Sequence, residues 1–354
     1  MSRFTKHALQ GEGDFSVRRR HTVENPLTPL IQARSFAGSH RETSWAELSR
    51  QLLEQQKLTW PQLRSGYASL ASVRLREIHC RGFSVWLQFN PGRIVSTGAK
   101  VDAQSIRERR CFLCVENLPE LQKGIVYKDE FLILCNPAPI FAEHFTISNI
   151  HHLPQILDPY IPTMLDLARD LSPRLTVFYN GPKCGASAPD HMHFQANPTG
   201  LIPVEMAARE KRHRVFRRSL DSVEVLTLHD FGRQVIVLES PQREDLAAVL
   251  NKLLDSLRKT IEVSEEPMIN VLCSFADGSW RVTLFPRSKH RPEAYFREEA
   301  ERVLISPAAV DIGGLIVTPL EKDFNTVDAS LVESIFQEVS LPQEKLDETI
   351  LRLP

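Results

Sequence analysis

Two histidines and a glutamine stand at alternate positions near the middle of the chain: His191, His193 and Gln195, separated by Met192 and Phe194. Successive side chains of an extended strand point to opposite faces. The two imidazoles and the amide therefore share one side, and the two apolar residues share the other. A loop containing Gly181, Gly185, Ala186 and Ser187 leads into them. Small residues let backbone N–H groups come close to a phosphate, so the combination suits attack of an imidazole on phosphorus. An ordinary half-buried strand with hydrogen-bonded histidines has the same alternation. Upstream, Cys111 and Cys114 form a C-x-x-C pair. That spacing fits a metal knuckle or a redox pair. It lacks the strand–helix setting of a thioredoxin-type site, and tetrahedral zinc would need two further ligands, for which histidines lie downstream.

The elements that must position these groups follow from periodicity. Residues 1–45 are polar, with a basic cluster at Arg18, Arg19 and Arg20 and turn formers at Asn25, Pro26 and Pro29, and read as loop or extended arm. A helix is expected over 44–56, capped by Ser44, with Leu48, Leu52 and Leu53 on its apolar side, and a short one over 60–70. Residues 84–89 read as a strand, 90–92 as a turn and 93–96 as its return. A hairpin is expected around Lys128–Glu130, joining 126–127 to 131–135. Residues 151–171 carry an apolar side, with prolines that make the start irregular, and 175–179 form the strand before the glycine loop. No G-x-G-x-x-G follows a strand and no Walker A sequence is present.

The same order then returns. After a helix at 203–213 come a hairpin (223–228 and 235–238), an amphipathic helix (246–261) and strands at 268–275 and 280–285. This pattern reads as an internal duplication in which WRVTLF takes the place of HMHFQA, without its histidines. The basic stretch 286–292 is either a solvated loop or a set of cations (Arg287, Lys289, His290, Arg291) facing a phosphorylated substrate. A strand at 314–318 and a helix at 328–339 close the chain. The expected fold class is α+β, an antiparallel sheet with packed helices in two tandem repeats, the second degenerate. The expected divisions are 1–80, 81–215 and 216–354.

The sequence His-φ-His-φ-Gln after Gly-Ala-Ser resembles the active-site strand of the histidine-triad superfamily. It is most similar to the transferase branch, which holds galactose-1-phosphate uridylyltransferase, dinucleoside-tetraphosphate phosphorylase and the GDP-hexose phosphorylases. There a glutamine stands where the hydrolases carry a third histidine, as Gln195 does. HMHFQA and the segment Q-F-N-P-G-R (residues 88–93) are both similar to the GDP-hexose phosphorylase versions. The resemblance implies that His193 is a nucleophile forming a nucleotidyl-histidine intermediate. Gln195 and Ser187 would hold nonbridging oxygens, with Asn180 and Lys183 as further phosphate ligands. Asn90 and Arg93, with Lys100 nearby, would contact base, ribose or phosphate. His144 would lie in the strand beside the catalytic one; a buried histidine with one structural hydrogen bond is the other reading of that residue. A structural zinc would be held by Cys111, Cys114, His152 and His191, with His151 competing for the third place. Asp190 departs from the uridylyltransferase pattern, in which Pro is followed directly by His.

The implied function is nucleotidyl transfer from a nucleotide sugar or dinucleotide to a phosphorylated acceptor or phosphate. The alternatives are hydrolysis of dinucleoside polyphosphates and nucleotide binding without catalysis. A homodimer is compatible with either. Composition agrees with a soluble chain: 354 residues, 42% apolar, 25% charged, and a formal net charge of -1, which gives no bulk attraction to nucleic acid or an anionic membrane. No apolar run is long enough to span a bilayer and no secretory signal is evident, so the cytoplasm is the expected location. Six scattered cysteines fit a reducing compartment better than a disulfide scaffold.

Overall fold

The computed structural model describes residues 27–36, 38, 43–98, 101–298 and 301–354. The basic cluster at 18–20 and Lys100 lie outside the described residues. Within the expected arm, Thr28–Arg34 is a helix, not loop. Pro29 sits in its first turn, where a missing N–H costs nothing. The next helix, Trp45–Thr59, is capped as expected: the Ser44 side chain accepts from the Glu47 N–H, and Leu52 and Leu53 are buried. Helix Pro61–Ala68 follows.

Strands β1 (Arg74–His79) and β2 (Ser84–Phe89) pair antiparallel. Residues 93–96 do not return as a strand. Pro91 fixes the chain for a 3-10 turn, Pro91–Arg93, which runs into the short helix Ile94–Thr97. The next unit is β3 (Gly124–Tyr127), β4 (Phe131–Cys135), β5 (Phe145–Asn149), helix Ile161–Asp170, β6 (Leu175–Asn180) and β7 (His193–Pro198). Residues 151–157 are irregular, because Pro154 and Pro159 delay the helix to Ile161. The expected helix at 203–213 is only Pro203–Ala207 plus a 3-10 turn, Lys211–His213. The following unit is β8 (Arg214–Leu220), β9 (Val223–Leu228), β10 (Ile236–Ser240), helix Arg243–Ile261, β11 (Ile269–Ala276) and β12 (Ser279–Pro286). Strand β13 (Leu315–Thr318) and helices Ala329–Val339 and Gln343–Leu351 complete the chain.

Ten of these strands form one sheet in the order β3-β4-β5-β7-β6-β11-β12-β10-β9-β8. Every pairing in it is antiparallel. The order is a palindrome. Strands β3 to β7 and β8 to β12 run outward in the same sequence from a seam between β6 and β11, each unit crossing over through one helix. The β12 strand thus occupies the place of β7, so the chain is two tandem copies of one antiparallel unit. Helices Ile161–Asp170 and Arg243–Ile261 cover one face, where Met192, Phe194, Val177, Tyr179, Val271 and Cys273 join the main core. The Trp280 indole N–H donates to the Leu165 carbonyl at 2.8 Å, tying the second copy to the first copy's helix. The other face carries Phe178, Leu272 and Phe285 and meets a three-stranded sheet, β1-β2-β13, in which β13 runs parallel to β2. The functional groups sit between these layers. Among the described residues no helix is long and apolar enough to cross a membrane.

Candidate active site

The polar side of β7 faces the second layer. Gln195 is flanked by Thr146 of β5 and Phe178 of β6, and His193 is opposite Ser148. The alternation holds for two residues before the strand begins: Met192 is in the core and His191 turns back toward the cysteines. His193 is held on both sides of its backbone by Gln155. The His193 N–H donates to Gln155 Oε1 at 2.8 Å. The Gln155 amide donates to the carbonyls of His193 and Asn180 at 3.0 and 2.9 Å. Gln155 was not legible as a functional residue in the sequence, where it lies in a proline-rich stretch without periodicity.

The imidazole of His193 is fixed as well. Its Nδ1 lies 2.8 Å from the His191 carbonyl, which can only accept, so Nδ1 carries the proton and Nε2 keeps its lone pair. Burial lowers this imidazole to about 4, partly opposed by the hydrogen bond to His191. It is therefore neutral at pH 7. His144 lies one residue before β5, fully buried. Its Nδ1 accepts from the Ile140 N–H at 3.2 Å, so Nε2 is the protonated nitrogen and donates to Gln195 Oε1 at 2.9 Å. That contact leaves the Gln195 NH2 group as the donor for anything in front of it. Burial, then the charge of Arg93, push the His144 imidazole down to about 3, which keeps it neutral. The Tyr67 hydroxyl braces the His144 backbone through its N–H and its carbonyl, both at 3.1 Å.

These groups open onto a cavity of about 860 Å³. Its wall includes His193, Gln195, Asn180, Gly185, Ala186 and Ser187 from the first copy, Arg93 from the turn after β2, and His290, Arg291 and Asp311 from beyond the second copy. Arg93 donates to the Ala138 carbonyl at 2.6 Å, and burial lowers its guanidinium to about 10 against the pull of Asp311. Asp311 is occupied by the Ala308 and Val317 N–H groups, each at 2.9 Å. With Arg93, Arg109 and Arg291 lining it against the single carboxylate of Asp311, the wall is cationic on balance and suits a phosphorylated ligand. Asn180 Oδ1 accepts from Asn270 and from the Ala309 N–H, which leaves its amide nitrogen as donor. Gly185 has φ +90, and a Cβ there would lie 2.5 Å from the Ala308 Cβ.

The remaining expected residues fall elsewhere. Asn90 is buried behind the wall, its amide spent on Gln88 and the Pro139 carbonyl. Lys183 is exposed and ion-pairs with Glu265. Of the basic stretch, Arg287 is fully buried and donates to four backbone carbonyls and to Asn270, while Lys289 pairs with Glu293 and Glu338. His290 and Arg291 alone of that stretch line the cavity.

Beside the cavity, Cys111, Cys114, His152 and His191 place one sulfur or nitrogen each within 4.8 Å of one another. The Cys111 sulfur is 3.3 Å from His191 Nδ1, and the Cys114 sulfur is 3.2 Å from His152 Nδ1. A tetrahedral zinc with two sulfur and two nitrogen ligands keeps its donors about 3.4–3.8 Å apart, so the set fits. His191 Nε2 donates to the Asn149 carbonyl at 2.8 Å, which commits Nδ1 to the metal side. Burial, then the neighbouring Cys111, push the Cys114 thiol up to about 12; a divalent cation would take it as thiolate. His151 is exposed and outside the cluster.

Comparison with known proteins agrees with this geometry. Residues 52–198 match the family model described as a domain of unknown function (DUF4922), and residues 203–351 match the GDPGP1-like, C-terminal domain. None of the curated proteins matches the chain. The solved structure of yeast Ap4A phosphorylase Apa2 is similar over 80% of this chain and 97% of that one, at 16% identity and a TM-score of 0.56. The same enzyme with AMP is similar over 82% and 97%, at 17% identity and a TM-score of 0.53. With Ap4A the TM-score is 0.51, at 16% identity over 80% and 97%. These solved structures share the fold of the chain, its second half matches the GDPGP1-like family model, and its His-φ-His-φ-Gln strand resembles that of the transferase branch of the histidine-triad superfamily.

Proposed function

We propose that the protein is a nucleotidyltransferase of the phosphorylase type, acting on a nucleotide sugar or dinucleoside polyphosphate. The observation that carries this reading is the hydrogen bond from His193 Nδ1 to the His191 carbonyl, in a wall of the cationic cavity. It leaves a neutral Nε2 to attack the α-phosphorus of a bound nucleotide. The P–N bond forms as the bond from phosphorus to the bridging oxygen breaks, and the phosphorylated remainder departs with that oxygen. The same hydrogen bond stabilises the positive imidazolium of the intermediate. Gln195, Ser187, Arg93 and Asn180 would supply donors to the nonbridging oxygens. An oxygen of inorganic phosphate or of a sugar phosphate then attacks, the P–N bond breaks and the neutral imidazole returns. His144 acts behind Gln195, as the group that turns its NH2 toward the substrate. The yeast enzyme's complexes with AMP and Ap4A support an adenine nucleotide as one of the substrates to try.

The metal in this reading is a structural zinc. With four protein ligands it has no open position, and it would tie His152 and His191 to the segment of Cys111 and Cys114. The transfer itself runs on His193 and the donors of the wall.

The test is a panel of nucleoside diphosphate sugars and dinucleoside polyphosphates labelled at the α-phosphorus. Wild-type protein should retain label on histidine, His193→Ala should not, and release of the labelled nucleotide should require phosphate or a sugar phosphate. Full turnover by His193→Ala would refute the assignment, and release independent of any acceptor but water would make the protein a hydrolase.

A further inference from the structure

Asp190, which departs from the uridylyltransferase pattern, stands between the two parts of the site. One carboxylate oxygen accepts from Arg109 Nη2 at 2.7 Å. The other lies 3.6 Å from His152 Nε2, on the ring whose Nδ1 is 3.2 Å from the Cys114 sulfur. At this separation the contact is an ion-pair distance and not a hydrogen bond, but the carboxylate stands behind the ring, on the side from which such groups orient metal-binding histidines. Arg109 in turn reaches the Ser187 carbonyl at 3.4 Å and stacks over Phe112, its guanidinium carbon 5.2 Å from the ring centre. It lines the cavity, and its Nη1 is buried with no partner among the described residues. A single carboxylate thus touches a metal ligand at one end and, at the other, the guanidinium that holds the phosphate-side loop.

We propose that Asp190 is a positioning residue that couples the metal centre to the nucleotide-binding wall through Arg109, and that Arg109 contacts the phosphates of the nucleotide. The first half concerns the protein's own residues around the metal cluster. The second rests on the function proposed above.

The pair makes a prediction opposite to simple electrostatics. Asp190 is an anion near a site for an anionic ligand, so charge alone says that removing it tightens nucleotide binding. A strut says that removing it weakens binding, because Arg109 loses its anchor. The experiment uses the full chain loaded with zinc and measures zinc affinity by chelator competition, then ADP and GDP affinity by titration. Asp190→Ala should lower zinc affinity 10–100-fold and weaken binding of ADP or GDP by roughly tenfold, a change of about 1.4 kcal/mol. Arg109→Ala should weaken nucleotide binding at least as much and zinc binding only a few-fold. The double variant should be no worse for zinc than Asp190→Ala alone. Asp190→Asn keeps the shape and can satisfy Arg109 or His152 but not both, so it should fall between wild type and Asp190→Ala, and it decides the matter if the alanine variant does not fold. Zinc affinity within threefold of wild type in the asparagine variant, or tighter nucleotide binding, overturns the proposal. If wild type binds neither ADP nor GDP, the nucleotide reading fails and the zinc arm still decides whether Asp190 braces the metal centre.

Discussion

Replacing Gln155 should damage stability and chemistry together, because one buried amide holds three backbone groups at the site. It accepts from the His193 N–H and donates to the carbonyls of His193 and Asn180, all at 2.8–3.0 Å. The side chain is 1% exposed, so water cannot replace it without rearrangement. Each buried backbone group left unpaired costs about 1–3 kcal/mol. Three of them would sum to 3–9, and partial relaxation and shared geometry reduce this, so Gln155→Leu is expected to cost about 3–4 kcal/mol. Gln155→Glu separates the contacts. It keeps the acceptor for the His193 N–H but turns an oxygen toward two carbonyl oxygens. It should therefore destabilise at least as much as leucine at pH 7, and recover partly in acid, where a protonated carboxyl can donate to one of them. Equilibrium urea unfolding of the wild type and both variants gives the stability arm. Single-turnover labelling of His193, on folded protein well below the unfolding midpoint, gives the other, with a fall of at least tenfold expected. Losses below about 1 kcal/mol for both variants, or unchanged labelling in the glutamate variant, would show that β7 does not depend on this clamp.

Three further outcomes follow from the same geometry. Labelling of His193 should be flat in pH from 8 down to about 5 and fall with unit slope near 4, its lowered value. Between the ordinary histidine value of 6.5 and about 4 the unfolded chain takes up a proton that folded His193 refuses, so stability should also drop as pH falls through that window; a labelling midpoint near 6.5 would mean that the ring is solvated. Gly185→Ala places a Cβ 2.5 Å from that of Ala308 at φ +90, and should cost about 1–3 kcal/mol and weaken nucleotide binding, seen by titration and calorimetry. Purified protein should carry about one zinc per chain by elemental analysis, and its removal by chelator, or Cys111→Ser, should lower the melting temperature and loosen the loop before β7 to proteolysis.

The two parts of the site were legible to different degrees, for physical reasons. A β-strand's period is strict, so alternation alone placed His193 and Gln195 on one face with Phe194 opposite. The duplication was legible because both copies bury one face under a helix and so repeat the same apolar spacing. The polar edges were not. Strands β1 and β8, RLREIH and RVFRRSL, are mostly solvated and lack the alternation that marks a half-buried strand. The turn at Asn90-Pro91-Gly92 reads like a hairpin tip, yet β2 finds its second neighbour in β13, some 230 residues away, which no local pattern encodes. Asn90 was expected at the ligand only through the resemblance of Q-F-N-P-G-R; its amide is spent on Gln88 and the Pro139 carbonyl behind the cavity wall.

Gln155, Asn149 and Arg109 escaped for a related reason, and Asp190 showed only as a departure from the uridylyltransferase pattern. Each acts through hydrogen bonds to groups far along the chain, and a single polar residue in an irregular segment leaves no periodic trace. What they share is placement. Gln155 holds the backbone of His193, and Asn149 offers its carbonyl to the ring of His191. Tyr67 holds the backbone of His144, which orients Gln195. Every imidazole at the centre therefore has a protein partner that fixes which nitrogen carries the proton or which way the ring faces. In a cavity where burial keeps His193 and His144 neutral, that fixing matters more than charge: a neutral imidazole with the wrong tautomer would turn a proton, not a lone pair, toward phosphorus. Two residues of spacing between His191 and His193 are what make this arrangement possible, since the carbonyl of the first becomes the acceptor for the ring of the second.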